Sequence, residues 1–303
     1  MFRLILRGLA PAPGSEQGAL AHQFLQAIGF LGSDSPRLAE RQRAVVGRRL
    51  FTRCLLPQPE RGWTTAELAE ALEVPVQAVY RHLQWLRELG LLTEDFPGKA
   101  DDPKRVRLWH HSLPLAWEVV GARVRTCLAD YRLAVQQLVA EYGSGSSPLP
   151  YDGVVRAPDG MVSVEKEDPF DMGLRELPPT GEEPSQQLGR LGAGIGYLSA
   201  HHLPYPESLP FRILDGCFLQ RPERAWSAEE VAAWARTTRP TAYRHVNRLL
   251  ALGMLARCRA ADGGSPASAF YLRGGSLAAA WQAIETRVEL VLNSYRRAVG
   301  ELA

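Results

Sequence analysis

Ala78-Val-Tyr-Arg-His-Leu-Gln-Trp-Leu-Arg-Glu-Leu-Gly-Leu-Leu92 returns 163 residues later as Thr241-Ala-Tyr-Arg-His-Val-Asn-Arg-Leu-Leu-Ala-Leu-Gly-Met-Leu255. Working outward, residues 49–92 align without gaps on 212–255, and 16 of 44 positions are identical. Residues 108–139 align on 272–303 at an offset of 164, with 13 of 32 identical. The extra residue falls around Asp95–Val106 or its partner stretch, and a length change belongs in an exposed loop. Self-similarity at one long period marks a repeated structural unit. The chain reads as two copies of one domain of about 100 residues.

Each copy predicts the same element order. A first helix covers Arg41–Leu56 or Leu209–Leu219. Thr64-Thr-Ala-Glu67 and Ser227-Ala-Glu-Glu230 are capping boxes, a hydroxyl at the N-cap and a carboxylate three residues on. Trp63 and Trp226 precede them, placed to staple onto Leu68 and Val231. A short helix, a turn near Glu73–Pro75 or Arg236–Thr238, and a third helix follow. The third helix is Val76–Leu89 or Pro240–Leu252, closed by Gly90 or Gly253. A β pair comes next, Leu91–Glu94 with Arg105–Trp109 and Met254–Arg257 with Ala269–Leu272. A long helix closes each copy. This order gives a mainly α fold with small β wings, two tandem winged helix-turn-helix domains.

The stretch 78–92 resembles the recognition helix of arsenical-repressor-type (ArsR) and MarR-type bacterial transcriptional regulators, and 241–255 resembles it more loosely. The resemblance covers roughly 60 residues per copy and lies at the level of the fold. It implies sequence-specific binding of double-stranded DNA and transcriptional control. It implies no particular effector.

Composition agrees with globular domains, at 46% apolar and 22% charged. The net charge of +2 hides a split: +3 over residues 1–142, −6 over 143–210 and +5 over 211–303. The expected organisation is an unassigned segment 1–36, winged helix domain 37–142, acidic Pro/Gly-rich linker 143–204 and winged helix domain 205–303. Within the linker, Val154-Val155 and Met161–Val164 around Pro158-Asp159-Gly160 suggest a short hairpin. The opening MFRLILRGLAPAPG carries Arg3 and Arg7 in its apolar stretch and makes a poor signal peptide. No apolar run approaches the roughly 18 residues of a membrane span. The four cysteines lack the close pairing of a disulfide framework. A cytoplasmic, nucleoid-associated protein is expected.

On a 3.6-residue wheel Val79, Leu83, Leu86 and Leu89 face inward, and Tyr80, Arg81, Gln84 and Glu88 face outward. The second copy puts Tyr243, Arg244, Asn247 and Ala251 outward. Arginine bonds guanine O6 and N7 together, and Gln or Asn does the same for adenine N6 and N7. The candidate DNA-reading set is therefore Gln77, Tyr80, Arg81 and Gln84 with Arg239, Thr241, Tyr243, Arg244, Asn247 and Arg248. Its rival is a merely solvated helix face. Lys99, Lys104, Arg105 and Arg107 in the first wing, and Arg257, Arg259 and Arg273 in the second, are candidate phosphate contacts. An ordinary charged hairpin is the alternative there.

The closing helices repeat a seam position for position. Trp117, Val120, Val124, Cys127, Tyr131, Ala134 and Leu138 alternate at spacings of three and four, as do Trp281, Ile284, Val288, Val291, Tyr295, Ala298 and Leu302. A seam this regular calls for a partner helix, and the other copy supplies one, making an intrachain pseudo-dimer. Packing on the helix's own domain is the alternative. Since Gln84 faces Asn247 in the alignment, Glu88 faces Ala251 and Trp85 faces Arg248, the two half-sites should differ. Further homo-oligomerisation is compatible with this reading, and no small-molecule effector is legible.

Chemistry beyond DNA binding finds little support. His82 and His245 sit at the edge of the apolar face and read as packed histidines; Cys54 and Cys217 read as core thiols. The pairs His110-His111 and His201-His202 have the wrong spacing for one helical face and read as exposed loop residues. No cysteine has metal-ligand spacing, so no cofactor or metal is expected. Gly189-Arg-Leu-Gly192-Ala-Gly194-Ile-Gly196 lacks the strand-to-helix context of a nucleotide-binding loop. An enzyme is not expected. A plasmid-type replication initiator or a winged-helix protein-interaction scaffold remains the alternative function.

Overall fold

Thr64 and Ser227 start two short helices in the same way. Each hydroxyl accepts from the N–H three residues on, Glu67 at 3.1 Å and Glu230 at 3.2 Å. Each carboxylate accepts in return from the cap N–H, at 2.7 Å and 2.8 Å. Two otherwise orphaned donors are satisfied at each start.

A computed structural model describes residues 2–9, 17–31, 38–95, 103–142, 161–163, 169–176, 183–199, 205–260 and 268–303. In chain order its elements are β1 (Arg3–Arg7), α1 (Gln17–Ala27), α2 (Leu38–Arg49), α3 (Thr65–Leu72), α4 (Val76–Leu89), β2 (Leu92–Asp95), β3 (Arg105–Leu108) and α5 (Leu113–Tyr142). Then come β4 (Met161–Ser163), β5 (Asp171–Arg175), α6 (Pro184–Gly194), α7 (Leu209–Arg212), β6 (Trp226–Ser227), α8 (Ala228–Ala235), α9 (Arg239–Leu252), β7 (Leu255–Ala260), β8 (Ala269–Leu272) and α10 (Leu277–Leu302). The architecture is mainly helical with small sheets. The first helix of each expected copy is split: α2 and α7 each run on into a π-helical turn, Leu50–Leu55 and Ile213–Leu219.

Two compact units form, Met1–Thr126 with Leu290–Ala303, and Cys127–Glu289. The expected domain limits, 37–142 and 205–303, differ from these. Each long closing helix gives one part to each unit, because its seam is buried against a helix remote in sequence.

In the first unit, Val79, Leu83, Leu86 and Leu89 of α4 are buried with Leu68 and Leu72 of α3. β2 and β3 pair antiparallel from Leu92↔Leu108 to Asp95↔Arg105. Trp63 adds a third strand's worth of pairing, exchanging two 2.8 Å backbone bonds with Val106. The N-terminal segment is folded into this unit. Phe2, Leu4, Leu6, Phe24 and Leu25 are buried. The Phe24 ring meets Trp117 edge-on at 5.3 Å and Tyr295 at 5.8 Å, and those two rings meet each other at 5.4 Å. Arg296 of α10 makes a two-pronged contact with Glu118 of α5, at 2.7 Å and 3.0 Å.

In the second unit, Tyr131 and Trp281 meet edge-on at 5.8 Å, and Arg132 forks onto Glu285 at 3.0 Å. Glu285 also accepts from the Trp281 indole at 2.8 Å. The stretch 143–204, expected as a linker, carries β5 and α6 with Met172, Leu174, Leu188 and Leu191 buried. The glycines from Gly189 to Gly196 are packing residues inside and just after α6. A methyl group at Gly192 would come within 2.8 Å of Leu198, and Gly189 and Gly194 are as tightly covered by Tyr205 and Tyr131. Of the hairpin expected around Pro158–Gly160, only Met161–Ser163 falls within the described residues. Met161–Ser163 lines up with β7, from Met161↔Ala260 to Ser163↔Cys258, in a sheet ordered β4-β7-β8-β6. Val154 and Val155 lie outside the described residues.

Candidate nucleic-acid interface

The turn between the paired helices is made by a residue in the left-handed region, Glu73 at φ 56° and Arg236 at φ 51°. Burial of one face of α4 and α9 decides what the other face offers. Tyr80 is 52% exposed and Tyr243 42% exposed, with Arg81 and Arg244 exposed beside them. Among the described residues no hydrogen bond or ion pair engages Arg81 or Arg244, so both guanidiniums are available. Gln77 is exposed. Gln84 is exposed too, and its Nε2 donates to Glu88 Oε1 at 3.1 Å.

The second helix departs from the expected face. Arg248 donates to the Gly196 carbonyl. The Asn247 Oδ1 is buried without a hydrogen-bond partner among the described residues. The cause is the covered flank of α9, where β5 and the turn after α6 pack, a stretch the sequence presented as linker. Arg239 pairs with Glu229 at 2.7 Å at the surface, and the Thr241 hydroxyl accepts from Thr238 at 3.0 Å.

Both histidines of the repeated triplet are packed. His82 lies 5.3 Å from the Phe30 ring, and burial, aided by the charges of Arg81 and Arg43, pushes it down to about 4. A backbone hydrogen bond ties it to Arg43, working against that shift. His245 lies 6.4 Å from Tyr197 and is also lowered by burial, with Arg244 and Arg248 adding to the effect. The four cysteines are free and buried; burial raises Cys217 to about 12 and Cys258 to about 11. Among the described residues no group of three or more His, Cys, Asp or Glu side chains converges as a metal site requires. No helix among them is long and apolar enough to cross a membrane.

The wings hold fewer available cations than their sequence offers. Lys104 is exposed, 3.9 Å from Glu94. Arg105 donates to the Gly62 carbonyl at 2.8 Å and reaches the capping carboxylate of Glu67 at 3.4 Å. Arg107 pairs with Asp95 at 2.8 Å. In the second wing Arg273 donates to the Gly253 and Leu255 carbonyls, at 2.9 Å and 3.3 Å, which commits it to the fold. Arg257 lies over Phe270 at 5.5 Å, whereas Arg259, opposite Val162 in the β4–β7 register, is exposed. Lys99 lies outside the described residues, as do His201 and His202. His110 and His111 are exposed, at φ 52° and 56°, where the aligned Gly274 and Gly275 take φ 68° and 67°.

Sequence reasoning missed the basic run on α2 and its π turn. Arg43, Arg48 and Arg53 are exposed there, and the backbone bond to His82 sets Arg43 beside α4. The signal was present as five arginines between Arg41 and Arg53.

The described seam positions are all buried. Trp117, Val120, Val124, Val291, Tyr295, Ala298 and Leu302 lie in the first unit; Cys127, Tyr131, Ala134, Leu138, Trp281, Ile284 and Val288 lie in the second.

Comparison with known proteins places this geometry. A helix-turn-helix domain family matches residues 46–95, the stretch from the end of α2 through β2. The Escherichia coli (strain K12) uncharacterized protein YfeD is 33% identical over 104 residues, which cover 34% of this chain and 75% of that protein. The chain belongs to the YfeD family. No solved structure matches it. In this YfeD-family chain α3 and α4 form a helix-turn-helix, the motif whose second helix enters the major groove of DNA. The match singles out neither the arsenical-repressor type nor the MarR type.

Proposed function

We propose that the chain is a sequence-specific double-stranded DNA-binding protein and a transcriptional regulator of the winged helix type. In this reading two tandem copies form an intrachain pseudo-dimer through α5 and α10, and α4 and α9 read two non-identical half-sites. One observation carries it: Tyr80-Arg81 and Tyr243-Arg244 stand exposed at matching positions on two helices whose other faces are buried. An exposed Tyr and an unpaired Arg side by side at a helix surface suit base edges.

Contacts outside the aligned blocks support the duplication. Arg123 lies over Phe2 at 4.5 Å, and Arg287 lies over Phe170 at 5.9 Å. Phe30 rests on His82 as Tyr197 rests on His245. The repeated unit on this view begins at β1 and β5, earlier than the sequence blocks. The burial of both seams supports the pseudo-dimer. The reading assigns the chain no reaction, cofactor or metal, and a place in the cytoplasm with the nucleoid.

The test is a genome-wide pull-down of DNA bound to the full-length chain, followed by footprinting of an enriched site. Recovery of a small set of operators with two protected half-sites is the expected result. An origin-like array of repeated sites would favour a replication initiator, and recovery of protein without DNA would favour a scaffold.

A further inference from the structure

The two candidate recognition helices differ in what they leave free, and the difference follows from their neighbours. On α4 the Gln84 amide is exposed and held by Glu88, three and four residues beyond Arg81 and Tyr80. One Nε2 hydrogen is taken by Glu88, which leaves the other hydrogen and the Oε1 acceptor together at the surface. That donor–acceptor pair matches N7 and N6 of adenine. On α9 the corresponding amide, Asn247, has its Oδ1 buried, so it cannot present the same pair. The next residue, Arg248, is held by the Gly196 carbonyl. Ala251 stands where Glu88 stands on α4, so nothing aligned with it orients an amide. Arg239, at the helix start, is paired with Glu229.

We infer that base discrimination is unequal between the halves: α4 reads an A·T pair with Gln84 in addition to the G·C pair read by Arg81, whereas α9 reads through Tyr243 and Arg244 alone. Glu88 is then a positioning residue, which fixes the amide plane before DNA arrives and lowers the entropy lost on contact. The inference rests on the DNA-binding reading above and adds to it which half-site carries more sequence information, and why.

Selection from a pool of random duplexes by the full-length chain tests it. The expected motif has one half-site with at least one more fixed base pair than the other, an A·T pair within a few positions of a fixed G·C. In the same selection Gln84→Ala and Glu88→Ala should lose the A·T preference while keeping the G·C, and Glu88→Gln, whose amide oxygen still accepts, should retain both. Equally long half-sites, or an unchanged motif with Gln84→Ala, would overturn the inference and leave the DNA reading standing. Glu88→Ala behaving like the parent would remove the positioning role. Enrichment of no duplex at all would overturn both readings. Circular dichroism of each variant separates loss of reading from loss of fold, since Gln84 and Glu88 lie on the exposed side of a helix whose buried face is unaltered.

Discussion

The Tyr295 hydroxyl accepts from the Arg7 backbone N–H at 2.9 Å and donates to the Arg7 carbonyl at 2.7 Å, joining residues 288 apart in the chain. In the other unit the aligned Tyr131 donates to the Arg175 carbonyl. A seam tyrosine thus closes each N-terminal strand, and its ring is shared with the aromatic cluster beneath. Tyr295→Phe leaves the part-buried Arg7 N–H without this acceptor and should cost about 1–3 kcal/mol, read by urea unfolding. Tyr131→Phe removes one donated bond and should cost less. Equal stability of Tyr295→Phe and the parent would show that water replaces the hydroxyl.

Arg81→Ala and Arg244→Ala should each weaken binding to a cognate duplex by about 1–3 kcal/mol, roughly 5- to 150-fold, with little loss on random DNA. Mobility-shift titrations on both duplexes measure it. Equal loss on the two would reassign that arginine to phosphate contact.

Salt dependence separates the wing cations. Lys104 is exposed on the wing, 3.9 Å from Glu94, so Lys104→Ala should flatten the logarithmic salt slope of binding by about 0.9, one phosphate's share, if it meets a phosphate. Arg105 is engaged with Gly62 and the α3 capping carboxylate. Arg105→Ala should leave the slope nearly unchanged and lower the thermal midpoint slightly. A slope change for Arg105→Ala matching that of Lys104→Ala would contradict this division.

Val124 and Val288 are fully buried seam residues in different units. A glutamate at either position must be buried unpaired, at a cost on the order of several kcal/mol. Val124→Glu and Val288→Glu should each lower the thermal midpoint and weaken DNA binding, although both positions are inside the seam. A double variant that melts and binds DNA like the parent would sink the pseudo-dimer.

The buried His82 gives stability a pH slope. Its folded pKa, about 4, lies below the ordinary value of 6.5, so the unfolded chain takes up the proton first. The stability tied to its neutral form is fully present above pH 6.5 and is lost as pH falls toward 4. Between pH 7 and 5 the thermal midpoint should drop, and His82→Gln should reduce that drop. The same slope in the variant would assign it to other groups, His245 among them.

Local periodicity was enough for the helix-turn-helix pairs. The two capping boxes, the inward faces of α4 and α9 and the glycines that end both helices follow from residues within four of one another, which is the range of a helical turn. The seam was legible for the same reason, since its spacing is a property of one helix. The aromatic partners that complete it, Phe24 above all, were not.

What only the tertiary structure decided lies between segments far apart in the chain. Arg7 and Arg175 identify nothing in sequence until Tyr295 and Tyr131 close on their backbones. The glycines at 189–196 read as a linker because composition cannot distinguish a flexible glycine from one under a tyrosine ring. Arg248 and Arg273 read as surface cations because a carbonyl acceptor has no sequence signature; every residue has one. The residue pattern determined which helices form and which faces they bury. Long-range packing, which sets the partner of each polar group, determined which of the candidate side chains remain free to touch DNA.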